Sequence, residues 1–332
     1  MSTAMKAPGT AADRLVTFTE RVLTHRRRRR RRIEEKQRKK NIIVDWLEAF
    51  LWAAVVVLLI NQYLLQAYQI PTGSMIDTLL EQDRVFVNKV IYGPELIPGM
   101  LKVSGLVQPT RNEVVIFENP SYISRGPGFE VLQRLVYMVT LSMVDINRDE
   151  FGRPRAQFLI KRAVGVEGDR FRNNEGVIEI RPQGASDWMS ESAFQELSGI
   201  SYPVNRMLEP QDYEVLRAGA QAAGLQDVGV PLSPSQDAAL RAASQVRYPD
   251  GVYIDTYRSE MRYMARPYDS RLRSRRFFHE QGWYVPEGRL LLLGDNRDNS
   301  LDGRSFGSVS KERVLGRGMF KYWPPSRIGP IR

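Results

Sequence analysis

A long uncharged stretch near the start of the chain constrains the fold more than any other feature of the sequence. Residues 49–76 hold no charged side chain in 28 positions, and the most apolar part is AFLWAAVVVLLI at 49–60. A helix of about 20 residues crosses the ~30 Å hydrocarbon layer of a bilayer, and residues 49–68 meet that requirement. We therefore predict a transmembrane anchor helix within 41–68. The alternatives are a cleaved signal peptide and the buried helix of a soluble protein.

The positive charge of the chain lies in its first 40 residues. The whole chain carries +10, and residues 1–40 alone hold 14 Lys or Arg against 4 Asp or Glu, so that the remainder is neutral. Basic residues beside an apolar span favour the cytoplasmic side of a membrane. This predicts a cytoplasmic tail at 1–40 that contacts anionic lipid, and an extracytoplasmic domain at 69–332. A tail that binds nucleic acid is the competing interpretation, and we expect no nucleic-acid partner.

Composition narrows the chemistry that the chain can carry out. Cysteine is absent, which excludes disulfides, cysteine nucleophiles and thiolate metal sites. The histidines are His25 and His279, too few for a histidine-rich zinc site. Composition therefore directs any hydrolytic chemistry towards serine, lysine and carboxylates.

The region after the anchor is predicted to be mainly β. Five short segments are rich in β-branched or apolar residues and are bounded by Gly, Pro or Asp: 84–90, 113–117, 158–166, 176–180 and 289–294. Because strands and helices do not alternate regularly, an antiparallel sheet is favoured over a parallel one.

Two helical stretches interrupt the strands. Residues 183–280 are predicted to form a helical insertion, with one helix from Pro210 to Gly224 and a capping box at Ser233. The apolar stretch 129–146 is predicted to be a helix that either packs on the core or lies on a membrane surface.

Three segments carry candidate chemistry, and each also has a structural interpretation. Ser74 follows a glycine in PTGSM at 71–75, a turn that can expose a hydroxyl and its own N–H together. Lys161 stands in the apolar strand FLIKR at 158–162, where burial would favour the uncharged amine. The polar loop GDNRDNSLDGR at 294–304 follows an apolar strand and resembles either a calcium loop or a turn held by Asp–Arg pairs.

These segments, in this order and after an N-terminal anchor, resemble bacterial type I signal peptidases. PTGSM resembles the nucleophile box of that family, FLIKRAVGVEGD at 158–169 its general-base box, and 294–304 its last box. RNEVVIF at 111–117 and DRVFVNK at 83–89 resemble the strand segments between them. The resemblance implies an antiparallel-sheet catalytic domain with a cap-like insertion.

The resemblance also implies a role for each matching residue. Ser74 would be the nucleophile and Lys161 the general base, while the Ser74 N–H and the Thr72 hydroxyl would form the oxyanion hole. Ser300 would orient the lysine amine. The supporting ion pairs would be Asp295 with Arg162 and Asp302 with Arg304.

The activity implied is removal of N-terminal signal peptides from secreted precursor proteins, with small residues in the Ala-x-Ala manner before the cleavage site. The mechanism implied by the resemblance needs no metal and no cofactor. The enzyme would be a single-pass protein of the bacterial cytoplasmic membrane, with its N-terminus in the cytoplasm. The alternatives are a catalytically inactive relative, a LexA-like Ser/Lys autoprotease and a non-enzymatic membrane protein.

Several positions depart from the family pattern. Asp77 and Glu167 replace prolines, Gln82 replaces a glycine, residues 112–113 are Asn-Glu in place of Gly-Asp, and Gly303 replaces a serine. None of these is the nucleophile or the base, although Asp77 is close enough to Ser74 in the chain to affect substrate preference.

Overall fold

A computed structural model of the chain describes residues 13, 15–16, 18–20, 24–25, 42–97, 101–140, 144–148, 152, 155–247 and 249–331. The arginine tract at 26–32 and the basic residues up to 40 lie outside the described residues, as do 141–143 of the helix predicted at 129–146. The chain divides into two compact units, Met1–Val57 and Leu58–Arg332.

The apolar stretch forms helix α1, Ile42–Tyr63, which has no buried residue. Its 22 residues correspond to about 33 Å at 1.5 Å per residue. Among the described residues, α1 is the one helix long and apolar enough to cross a membrane. The predicted end at residue 68 is wrong, because Leu65–Gln69 forms a strand that pairs with Arg84–Asn88. Main-chain pairing in the sheet thus ends the helix earlier than the apolar pattern indicates.

Fourteen strands are defined within the described part of the chain. In chain order they are β1 Leu65–Gln69, β2 Arg84–Asn88, β3 Glu95–Ile97, β4 Leu101–Lys102, β5 Val114–Glu118, β6 Phe158–Gly165, β7 Arg170–Asn174, β8 Val177–Arg181, β9 Met189–Ser190, β10 Trp283–Tyr284, β11 Arg289–Leu293, β12 Val309–Ser310, β13 Val314–Trp323 and β14 Gly329–Pro330. All five predicted strands are confirmed.

The strands form one large sheet and two smaller ones. The large sheet has the order β1-β2-β13-β5-β6-β11-β12, with β14 paired to β13, and its neighbours are antiparallel. A second sheet has the order β10-β7-β8-β9, and β3 and β4 form a hairpin. The predicted mainly β, antiparallel fold class is confirmed.

Apolar residues are buried on both faces of the large sheet, as β5 illustrates. Its Val114 and Ile116 belong to one buried cluster, and its Val115 and Phe117 belong to another. Side chains alternate between the two faces of a strand. A strand covered on both sides therefore reads as a continuous apolar run, which is the pattern at 114–117.

Helices fill the chain between β9 and β10, as the predicted insertion requires. They are α3 Glu191–Ser198, α4 Pro210–Asp227, α5 Pro234–Ala243, α6 Gly251–Ala265 and α7 Ser270–Gln281, while α2 Pro127–Val139 precedes β6 and the short α8 Gly303–Phe306 follows β11. The capping box at Ser233 is confirmed, with reciprocal bonds between Ser233 and Gln236.

One predicted helix boundary is wrong for a reason of packing. Helix α4 continues past Gly224 to Asp227. A Cβ on Gly224 would lie 2.6 Å from the carbonyl oxygen of Arg258 in α6. The glycine therefore permits close approach of two helices and does not end one.

Helix α2 is shorter than the predicted 129–146 and ends at Val139. Its Val131 and Leu132 are 47% and 54% exposed, so the described part of the chain leaves one apolar side of this helix uncovered.

Candidate active site

The nucleophile candidate lies in a single turn of 3-10 helix, Gly73–Met75, between β1 and β2. Ser74 is 4% exposed. A Cβ on Gly73 would lie 2.8 Å from Cδ1 of Ile76, so a larger residue before the serine would require the Ile76 side chain to move. Ser74 thus lies in a tight turn shortly after the edge strand β1.

Lys161 reaches this turn from β6. It is 3% exposed, and its Nζ donates a hydrogen bond of 2.6 Å to Oγ of Ser74. Residues 74 and 161 are thus brought together across 87 positions of sequence. The structure thus places in contact the two side chains that the motifs assign to one active site.

The environment of Lys161 favours its uncharged form. Burial lowers the pKa of Lys161 from its ordinary 10.5 to about 8, with Arg304 adding to the decrease and the carboxylates of Asp302 and Asp295 opposing it. Burial has this direction because an ammonium ion loses its hydration in the protein interior. Near neutral pH an appreciable fraction of Lys161 can therefore accept a proton.

The next residue of β6 forms a fully buried ion pair. Arg162 donates from Nε and Nη2 to the two carboxylate oxygens of Asp295, at 2.9 and 2.7 Å, and both side chains are 0% exposed. Thr78 donates to Asp295 at 2.6 Å and accepts from Arg162 at 3.0 Å. The pair thus links β6, the loop after β11 and the segment that follows Ser74.

The second predicted ion pair, Asp302 with Arg304, forms within the polar loop at 294–304. Nε of Arg304 donates to Asp302 at 2.9 Å, and the other carboxylate oxygen of Asp302 accepts the backbone N–H of Gly294 at 3.0 Å. Arg304 also donates to the carbonyl oxygen of Arg297. Burial raises the pKa of Asp302, but the ion pair with Arg304 and the bond from Gly294 outweigh it, so the net shift is downward.

One predicted site residue, Ser300, does not make the contact expected of it. Ser300 is expected to orient Lys161, yet its buried hydroxyl has no hydrogen-bond partner among the described residues. It does lie close to the nucleophile turn, because a Cβ on Gly294 would meet both Ser300 Oγ and the carbonyl oxygen of Ser74. Thr72 immediately precedes the turn, is exposed, and makes no capping bond with its side chain.

Other residues that sequence reasoning missed also build the site. Asn112 accepts from Nη1 of Arg162 with its side chain at 2.9 Å and with its carbonyl at 3.1 Å. Asn296 contacts the nucleophile turn, and Asp298 binds residues of the insertion. Both lie in the polar loop that the sequence singles out, but their partners are far away in the chain.

The described residues contain no group of three or more His, Asp or Glu side chains placed to hold a metal ion. The calcium-loop interpretation of 294–304 is thus without support, because Asp295 and Asp302 are bound to arginines and Asp298 to Arg206. The Asp–Arg turn is the interpretation that fits.

Comparison with known proteins agrees with this geometry. The family model described as "Signal peptidase, peptidase S26" matches residues 43–215 and 242–323, which is more than half of the chain. The chain belongs to the signal peptidase family, peptidase S26. Both members of the Ser74–Lys161 contact and the whole 294–304 loop lie within the matched residues.

Individual relatives extend over most of the chain at low identity. A signal peptidase I of Haemophilus influenzae is 23% identical over 272 residues, which cover 80% of this chain and 65% of that protein. A signal peptidase I of Aquifex aeolicus is 24% identical over 271 residues, 80% of this chain and 79% of that protein. A probable thylakoidal processing peptidase of Arabidopsis thaliana is 44% identical over 48 residues, or 14% of this chain.

Four of the departures from the signal peptidase pattern have a local structural explanation. Gln82 and Asn112 stand where the family has glycine, and both have a positive φ, 69° and 71°. The left-handed backbone that glycine adopts without strain is therefore kept. At Gly303 a Cβ would lie 2.9 Å from the carbonyl oxygen of Leu292, so this chain has no room for the family's serine. Glu167 pairs with Lys311 at 3.1 Å.

Proposed function

We propose that this chain is a membrane-anchored serine endopeptidase that removes signal peptides from secreted precursor proteins, with Ser74 as nucleophile and Lys161 as general base. One observation carries the proposal: the buried Nζ of Lys161 lies 2.6 Å from Oγ of Ser74. Membership of the signal peptidase family and the names of its relatives supply the substrate class.

Acylation begins when uncharged Lys161 accepts the hydroxyl proton of Ser74. Oγ then attacks the carbonyl carbon of the scissile peptide bond, and a tetrahedral oxyanion forms. When the C–N bond breaks, Lys161 gives its proton to the leaving amine. Water then attacks the acyl ester and gives a proton to Lys161. As the ester C–O bond breaks, Lys161 passes that proton to Oγ of Ser74, and the signal peptide leaves with a new C-terminal carboxyl group.

The oxyanion is stabilised by the backbone N–H of Ser74. Ser74 is the second residue of a 3-10 turn, and N–H groups in the first turn of a helix have no partner within it. Such a donor is worth about 3 to 4 kcal/mol in comparable sites. We assign the second donor to the Thr72 hydroxyl, which is free to turn because Thr72 is exposed and does not cap the helix.

The remaining site residues position Ser74 and Lys161. We assign Ser300 to orient the amine of Lys161 after its side chain rotates, because its hydroxyl is buried and unbonded among the described residues. The pairs of Arg162 with Asp295 and of Arg304 with Asp302 fix β6 and the 294–304 loop relative to Ser74.

The membrane anchor belongs to this mechanism. We assign 1–40 to a cytoplasmic tail, α1 to a single membrane span, and the chain after it to the extracytoplasmic side, because the basic residues precede the apolar helix. Ser74 lies in the turn that follows β1, the first strand after the end of α1 at Tyr63. An enzyme and a precursor held in one membrane meet at a higher effective concentration than two soluble molecules.

Cleavage of a short Ala-x-Ala peptide across pH tests substrate class and base together. We expect kcat/KM to rise with pH through about 8, because Lys161 acts as a base only after it loses the proton that it carries below its pKa. Ser74→Ala should abolish cleavage, whereas Ser186→Ala, at an exposed turn, should retain it. A rate that is constant from pH 6 to pH 10, or that persists in Ser74→Ala, would refute the proposal.

A further inference from the structure

We propose that Asn296 is a positioning residue that aims the Ser74 N–H at the oxyanion, and that the helical insertion holds Asn296 in place. The inference rests on the proposed function and adds to it a role for Asn296 and for the insertion.

Asn296 binds the nucleophile turn with both its backbone and its side chain. Its backbone N–H donates to the carbonyl oxygen of Ser74 at 3.1 Å, and its Nδ2 donates to the carbonyl oxygen of Gly73 at 3.1 Å. Asn296 is 0% exposed, so water does not compete for these bonds. One residue thus fixes two successive carbonyl groups of the turn.

The bond to Gly73 determines where the Ser74 N–H points. The carbonyl of Gly73 and the N–H of Ser74 belong to one peptide unit, which is planar and trans, so that they point in opposite directions. A donor that anchors the carbonyl on one side therefore directs the N–H to the other side, where an oxyanion would form. Hydrogen bonding to the carbonyl also polarises the same peptide unit and strengthens its N–H as a donor.

The insertion binds the main chain of the two residues that flank Asn296. The backbone of Asn205 accepts the N–H of Arg297 at 3.0 Å and donates to the carbonyl oxygen of Asp295 at 2.8 Å. These two bonds flank Asn296 on either side, and residues 205 and 296 form a parallel bridge. The Asn296 segment is thus paired with the chain that leads into α4.

Asp298 stabilises the pairing of Asn205 with Asn296. Its carboxylate accepts from Nη1 of Arg206 at 2.6 Å and from the backbone N–H groups of Met207 and Leu208 at 2.7 and 3.1 Å. Glu191, at the start of α3, forms a second ion pair with Arg297 at 2.5 Å, and both of its side chains are buried. Two ion pairs therefore bind the insertion to the two residues that follow Asn296, and through Asn296 to the nucleophile turn.

Asn296→Ala tests the inference through the balance of kcat against KM. A peptide unit that is misaimed by a fraction of an ångström weakens the transition state, so we expect kcat to fall about 10- to 100-fold, while KM changes less than about twofold. The pH midpoint near 8 should not move, because burial and the charges of Asp302, Asp295 and Arg304 set the pKa of Lys161. Asn174→Ala, on an exposed strand position, is the matched control and should keep the wild-type rate.

A peptide boronic acid, which forms a tetrahedral adduct with serine, separates positioning from general damage. Its affinity should fall in parallel with kcat in Asn296→Ala, while the affinity of a non-reactive product peptide stays at the wild-type value. Asn296→Leu keeps the approximate size of the side chain but removes the donor, and it should show the same pattern. Asp298→Asn should show it more weakly, and carries the test if both Asn296 variants unfold below the assay temperature.

The outcomes are distinguishable. Wild-type kcat in the folded variants, or equal losses of boronate and product-peptide affinity, would overturn the role of Asn296 and leave the proposed function standing. A wild-type protein that does not cleave the peptide would refute the proposed function itself.

Discussion

Replacing Lys161 by methionine is expected to lower kcat/KM for an Ala-x-Ala peptide by at least about 10⁴-fold, because a thioether cannot accept the proton of Ser74. Methionine resembles lysine in length and shape and keeps the buried position filled. The matched control is Lys311→Met, which removes an ion pair with Glu167 on the surface. That variant should cleave at the wild-type rate. Peptide turnover followed by chromatography measures both.

The same substitution should not destabilise the fold, which separates loss of chemistry from loss of structure. The pKa of Lys161 is about 8 in the folded chain and ordinarily 10.5. Below pH 8 the amine is charged in both states, so folding bears the full cost of burying that charge, about 3 kcal/mol. The cost disappears as pH rises from 8 to 10.5. At pH 7 the methionine variant should therefore unfold at the same urea concentration as the wild type or at a higher one.

The second large effect is expected on stability. Asp295→Ala should lower the free energy of unfolding by about 3 to 5 kcal/mol, because it leaves the guanidinium of Arg162 buried without its counter-ion. Both side chains of this pair are 0% exposed, and Thr78 also bonds to the carboxylate. Urea unfolding in detergent, followed by tryptophan fluorescence, measures the change.

Asp237→Ala provides the control for Asp295→Ala. Asp237 pairs with Arg241 on an exposed face of α5, where the two side chains are 51% and 68% exposed. Ion pairs of this kind contribute at most about 1 kcal/mol. A loss in Asp295→Ala no larger than in Asp237→Ala would show that the buried pair does not hold the site together.

The sequence predicts the β strands from local signals, and it predicts the pairing of Ser74 with Lys161 from the family motifs. The strands at 84–90 and 289–294 carry apolar runs bounded by Gly, Pro or Asp, and the structure places β2 and β11 there. The pairing of Ser74 with Lys161 came from motifs, because no spacing rule brings together residues separated by 87 positions.

The errors lie where tertiary contacts override local pattern. Residues 65–68 continue the uncharged stretch of the anchor, yet they pair with β2 in the sheet. Gly224 looks like a helix terminator, but it marks the place where α4 and α6 approach closely. Asn296 lies in a polar loop, and its sequence context gives no sign that its side chain donates a hydrogen bond to the carbonyl oxygen of Gly73.

From these contacts we infer a structural role for the helical insertion at the active site. Its links through Asp298 and Arg297 run to the loop that supports the nucleophile turn. The buried pair of Arg297 with Glu191 agrees with our inference that the insertion supports Asn296, because burying two charges costs desolvation free energy.

Acylation of the chain by a serine-reactive inhibitor, read by mass spectrometry of its peptides across pH, tests the central claim most directly. We predict one adduct, on the peptide that contains Ser74, with a rate that rises with pH through a midpoint near 8 and an adduct that is absent in Lys161→Met. An adduct on a different residue, or labelling of Ser74 in Lys161→Met at the wild-type rate, would contradict activation of Ser74 by an uncharged Lys161.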